Sequence, residues 1–133
     1  MIDDEFIQFR VNRSKESLEE AKLMFSNKHY LTVINRLYYA MFYLVAAYLG
    51  CNNIFAKTHS GAKSQFQLYF IKTNIVSKDF AELYNDLFQE RNDSDYGDFQ
   101  VISKEDAKDL LDETQKILEE YWEKFEEYRK NKI

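Results

Sequence analysis

The amino-acid sequence predicts an all-α protein, an antiparallel bundle of four to five helices, and three observations carry that expectation. The 133 residues include no proline, and the three glycines, Gly50, Gly61 and Gly97, fall where the periodic segments break, as expected when helices are punctuated at their ends. Apolar residues recur three or four positions apart in one segment after another, which gathers them on one side of a helix. The period-two alternation of a strand is weak.

Taken in order, the first segment carries Ile7, Val11, Ser14, Leu18, Ala21 and Phe25 on one stripe, with Lys15, Glu16, Glu19, Glu20 and Lys22 on the other faces. After a break near residues 26–28, the stretch from Tyr30 to Leu49 is apolar nearly all round, so it should run through the bundle centre and end at Gly50. Cys51 to Thr58 reads as a loop, and Thr58 or Ser60 can cap a third, shorter helix carrying Ala62, Phe66, Tyr69 and Phe70. Ser77 can cap a fourth, with Phe80, Leu83, Tyr84, Leu87, Phe88 and then Arg91 on its stripe. Asn92 to Gly97 is almost wholly turn formers and reads as a loop. Ser103, Glu105 and Asp106 form a capping box for a last helix, Ala107 to Phe125 and beyond, of about 25 residues and roughly 37 Å.

The length suits a single domain, residues 1–133, that buries a core without disulfides or metals. Ten Tyr, eleven Phe and one Trp make up 17% of the chain, and such rings bring large buried areas. A net charge of −5 argues against nonspecific nucleic-acid binding, which needs a surplus of Lys and Arg; a localised basic site is still compatible with it. Cys51 is the only cysteine, so no internal disulfide can form, and a small buried or half-buried thiol is expected. The opening residues MIDDEFIQFR lack the pattern of a secretory signal. The most apolar stretch, Leu37 to Leu49, is shorter than the roughly 20 residues needed to cross a bilayer. These readings place the protein in the cytoplasm, with no membrane and no cofactor implied.

Arg91 is the most informative charged residue, because it continues a core-facing stripe and a guanidinium there needs a partner. An ion pair with Asp93 or Asp95 is one reading; a site for a bound anion is the other. Lys57, His59 and Ser60 form a second cluster ahead of a helix start, where backbone N–H groups and a titratable imidazole can hold phosphate. Tyr38 and Tyr39 read as core aromatics whose hydroxyls find buried partners. Two histidines without cysteine or carboxylate at ligand spacing give no metal site, and no phosphate loop, dinucleotide fingerprint or serine-nucleophile elbow is present.

The segments INRLYYAMFYLVAAYL, KTHSG and ERNDSDYGDF, in that order, resemble the HEPN domain family, more narrowly its short stand-alone branch. The likeness runs from about Asn27 into the last helix. It implies an antiparallel bundle that commonly forms homodimers, with paired sites near the interface. Active members cleave RNA without metal, using an Arg, the polar residue after it and a His a few positions on. By resemblance Arg91 and Asn92 take the first two places, and the third falls on Asp95 or Tyr96. A tyrosine titrates near 10, against roughly 6.5 for histidine, so Arg91, Asn92 and Tyr96 together describe binding of RNA or nucleotide phosphate better than turnover. His59 can supply the proton shuttle if its loop approaches Arg91. Relatives often pair with a minimal nucleotidyltransferase as toxin and antitoxin, and in some a motif tyrosine accepts AMP, which makes Tyr96 the acceptor here. The competing expectation is a noncatalytic module that binds a nucleotide or serves as scaffold for that partner.

Overall fold

Long apolar stripes need partners, and the chain supplies them by folding back on itself. The structure, a computed structural model, describes residues 4–96 and 101–132, apart from the side chains of 93–96. Its elements are α1 (Asp4–Ser26), α2 (Tyr30–Cys51), α3 (His59–Phe66) continued by a π-helical turn (Gln67–Ile71), α4 (Lys78–Tyr96) and α5 (Lys104–Asn131).

Helix α1 buries Ile7, Val11, Ser14, Leu18 and Ala21, as its spacing predicts, and it closes in a Schellman turn. The Lys28 and His29 N–H groups donate to the Phe25 and Met24 carbonyls, with Lys28 left-handed at φ 65°. Helix α2 is buried on most of its circumference, from Val33 through Gly50. It ends one residue later than expected, at Cys51, and Gly50 is not its terminator. Asn53 at φ 58° is, its N–H donating to the Gly50 carbonyl while that of Ile54 reaches Leu49. Asparagine tolerates that conformation better than most side chains.

Thr58 caps α3, and its side chain accepts from the Gly61 N–H at 2.9 Å. A Cβ on Gly61 would lie 2.9 Å from the Thr58 hydroxyl oxygen, so the glycine serves the cap and does not break the helix. The π-helical turn that follows changes which residues face inward. Phe70 and Ile71 are buried, whereas Leu68 and Tyr69 are 50% and 45% exposed, so Tyr69 leaves the stripe on which the spacing placed it.

Ser77 accepts from the Phe80 N–H at the start of α4, which buries Phe80, Leu83, Tyr84 and Leu87. The helix then continues to Tyr96, through residues that read as a loop. Asn, Asp and Ser cost only about half a kcal/mol each relative to Ala inside a helix, and continuing adds a hydrogen bond per residue. Ser103 caps α5 by accepting from the Asp106 N–H, and α5 runs 28 residues, about 42 Å.

Contacts set the directions of the helices. Trp122 meets Ser14, and Arg129 meets Asp4, so α5 runs antiparallel to α1. Phe80, near the start of α4, packs on Tyr121, far along α5, and the short connection from Tyr96 to Lys104 then makes α4 antiparallel to α5, while Tyr84 stacks on Tyr38 of α2. The result is an up-down-up-down bundle of α1, α2, α4 and α5, with α3 inserted across one side and α2 touching every other helix. Among the described residues no helix is long and apolar enough to cross a membrane.

One polar clasp joins three helices. Ser14, fully buried, donates to the Ala40 carbonyl at 2.6 Å and accepts from the Trp122 indole N–H at 3.0 Å. Ser14→Ala strands that N–H, a loss of about 1–3 kcal/mol, and should lower the urea midpoint without changing the slope of the transition; an unaltered midpoint would contradict the clasp.

Candidate functional site

Because α2 is buried almost all round, the Tyr38 ring is held wholly in the interior and its hydroxyl must find a partner there. It finds His59. The Tyr38 hydroxyl lies 2.8 Å from Nδ1 of His59, the first residue of α3. The imidazole sits half-buried among rings, 4.6 Å from the Phe42 centroid, 5.5 Å from Tyr38 and 5.7 Å from Tyr39. Behind Tyr38, Tyr84 stacks at 5.8 Å with its planes 12° apart. The two phenols influence each other's ionisation, although among the described residues the buried Tyr84 hydroxyl meets no hydrogen-bond partner at proper geometry.

Arg91 approaches the same tyrosines from α4. Its guanidinium lies 5.2 Å from the Tyr38 ring and 5.4 Å from Tyr39, a placement worth about 0.5–1 kcal/mol per ring and more where water is excluded. Helical spacing put Arg91 on the inward stripe, and the structure places it half-buried at that stripe's end. Arg91 and His59, 32 residues apart in sequence, therefore share one aromatic platform.

Two further arginines extend it. Arg36 lies 5.1 Å from the centre of the Tyr39 ring and pairs with Glu20 at 3.0 Å. Arg13, on α1, lies 5.3 Å from the Tyr43 ring and pairs with Glu16. A surface of half-buried Tyr39, Phe42 and Tyr43 is thus edged by guanidinium groups from three helices, in a chain whose net charge is negative. On the far side of Phe42 a cleft of about 250 Å³ opens, walled by Phe6, Phe9 and Phe55, with Arg10 donating to the Ala46 carbonyl.

Electrostatics follow from burial and that charge. Burial pushes the Tyr38 phenol up to about 12, against the opposing pull of Arg91, and it pushes Tyr84 well above the ordinary tyrosine range. His59 is lowered from its usual 6.5, first by burial and then by the Arg91 charge. Both causes favour the uncharged imidazole, which has one nitrogen tied to Tyr38 and, among the described residues, no hydrogen bond at Nε2.

The other expected residues divide. Asn92 is half-buried one position beyond Arg91 on α4. Lys57 and Ser60 are exposed beside His59, with Ser60 3.5 Å from the Thr58 hydroxyl. The backbone of Tyr96 is the last of α4, but its side chain, like those of Asp93 and Asp95, lies outside the described residues. Sequence reasoning missed Arg13, Arg36, Phe42 and Tyr43. The spacing of Arg36, Tyr39 and Tyr43 on one face of α2 was a signal for part of this surface; the approach of Arg13 and Arg91 from other helices had none.

A model of the HEPN domain matches residues 7–125. The chain belongs to the HEPN domain family. Among relatives, this HEPN chain is 33% identical to a Thermotoga maritima "UPF0332 protein" over 88% of its own length and 94% of the relative's. It is 35% identical to "Putative toxin MJ0142" of Methanocaldococcus jannaschii over 76% of this chain and 69% of that one. A second protein of that organism, "Putative toxin MJ0605", is 29% identical over 87% and 91%.

The charge relation can be checked directly. Arg91→Ala removes one of the two causes that hold His59 down, so its pKa should rise toward 6.5 but stay below it, as followed by NMR titration of the imidazole. For the parent protein, the unfolded state takes up a proton near 6.5 that the folded His59 still refuses, so this residue's contribution to stability is full above 6.5 and falls as the pH drops toward the folded value.

Proposed function

We propose that this HEPN protein is a toxin-type component that grips RNA phosphate at Arg91, with Asn92 and Tyr96 completing the contacts, and cleaves the strand without metal. The observation that carries the reading is the Arg91 guanidinium set on the Tyr38 and Tyr39 rings that also hold the His59 imidazole. Guanidinium forks match phosphate oxygens, and imidazole exchanges protons near neutral pH. Bases splayed from a single strand can stack on half-exposed rings of the kind that Tyr39, Phe42 and Tyr43 present. Along that face Arg13 and Arg36 are paired with Glu16 and Glu20, so Arg91 is the guanidinium proposed to meet the phosphate.

The names of two relatives support the toxin reading, and a toxin needs restraint. A minimal nucleotidyltransferase is the proposed partner, with Tyr96 as the residue it would modify, and a homodimer is the proposed assembly. A neighbouring reading frame encoding such an enzyme is the expected genetic context.

Purified protein incubated with tRNA and mRNA should shorten both, and Arg91→Ala should abolish the cleavage and weaken RNA affinity about tenfold to a hundredfold, the scale of one lost charge-assisted contact. Circular dichroism should show the variant still folded. Equal RNA loss with both proteins would remove the nuclease claim. Coexpression with the nucleotidyltransferase should suppress cleavage, and a Tyr96→Phe variant should escape that suppression.

A further inference from the structure

We propose that His59 is the proton-exchanging group of the Arg91 site and that Tyr38 is the positioning residue that sets its tautomer. The inference rests on the RNA-cleaving reading above and adds to it the residue that moves the proton. Its position is built from several independent constraints. The Thr58 cap fixes the first turn of α3, and Gly61 leaves room for it. Phe42 and Tyr39 hold the imidazole at 4.6 Å and 5.7 Å, and the fully buried Tyr38 engages Nδ1 at 2.8 Å. Nε2 is the nitrogen left for a substrate. The titratable and charged groups that face the ring among the described residues are Tyr38 and Tyr39 from α2 and Arg91 from α4.

A phenol can donate to Nδ1 or accept from it. Base chemistry at Nε2 requires the second arrangement, with the Nδ1 proton donated to the Tyr38 oxygen. Tyr38 then turns its own proton toward Tyr84, whose buried hydroxyl has no other hydrogen-bond partner among the described residues. With Arg91 holding the non-bridging phosphate oxygens, Nε2 takes the proton of the adjacent ribose 2′-hydroxyl as that oxygen bonds to phosphorus. The bond from phosphorus to the 5′ oxygen breaks, a solvent water protonates the departing 5′ oxygen, and the imidazolium gives its proton to the hydroxide left behind. The products are a 2′,3′-cyclic phosphate and a 5′-hydroxyl end, and His59 is again neutral.

The test compares the parent protein with His59→Gln, His29→Gln, Tyr38→Phe and Arg91→Ala on one RNA oligonucleotide, and on its 2′-O-methyl analogue, which can bind but not react. His59→Gln should cut cleavage by about a hundredfold or more, the usual reach of a general acid or base, while binding the analogue within about twofold of the parent. His29→Gln should cleave normally. The parent's rate should rise with pH through the His59 pKa measured by NMR, and Tyr38→Phe should move the kinetic and NMR values together. Added imidazole should restore part of the rate to His59→Ala, which requires a folded variant. Full cleavage by His59→Gln beside an inactive Arg91→Ala would overturn the role of His59 and leave the RNA-cleaving reading standing. Cleavage unaffected by Arg91→Ala, or absent from the parent, would overturn that reading and this inference with it.

Discussion

A phenol shut away from water gains from a partner inside the protein, and among the described residues Tyr38 finds one where the buried Tyr84 hydroxyl does not. Its helix is central, so the ring has core on every side, and an unpaired hydroxyl there would cost more than most surface contacts return. The bond to His59 resolves the problem and in doing so ties α3 to α2. The same ring carries Arg91 from α4. One residue therefore serves the stability of the bundle and the convergence of three elements on one spot, and the site is as rigid as the core beneath it.

Rigidity of this kind suits the chemistry proposed. A guanidinium resting on rings loses less freedom on gripping an anion than one swinging in solvent, and an imidazole hemmed in by Phe42 and Tyr39 is already oriented. The depressed pKa of His59 has the same origin as its placement, since the surroundings that hold the ring also exclude the water that would stabilise its charge. Geometry and proton affinity are set by one packing arrangement.

Much of the fold was legible in the sequence because helices advertise themselves locally: stripes at three and four residues, and Thr58, Ser77 and Ser103 as caps. The errors lie where tertiary packing outweighs local preference. Turn formers at 92–96 stayed helical because each costs little beside the packing of the helix they extend, and a widened turn at 67–71 displaced Tyr69 from its stripe. The bulk of the Gly50 reading failed for a related reason, since a left-handed asparagine can end a helix as well as glycine. For the site, Arg91 and His59 were each visible as unusual residues, but their meeting was not. It depends on how α3 and α4 lie against α2, and nothing local to KTHSG or ERNDSDYGDF encodes that.

The bond between Arg129 and Asp4 brings the two outer ends of α1 and α5 together. Tyr128 meets Asn52 just past the end of α2, so this corner lies some 13 residues along α2 from the Tyr38 platform, about 20 Å at helical rise. That bond holds the first turn of α1 against the last turns of α5, so these helices steady each other at a corner remote from the aromatic platform.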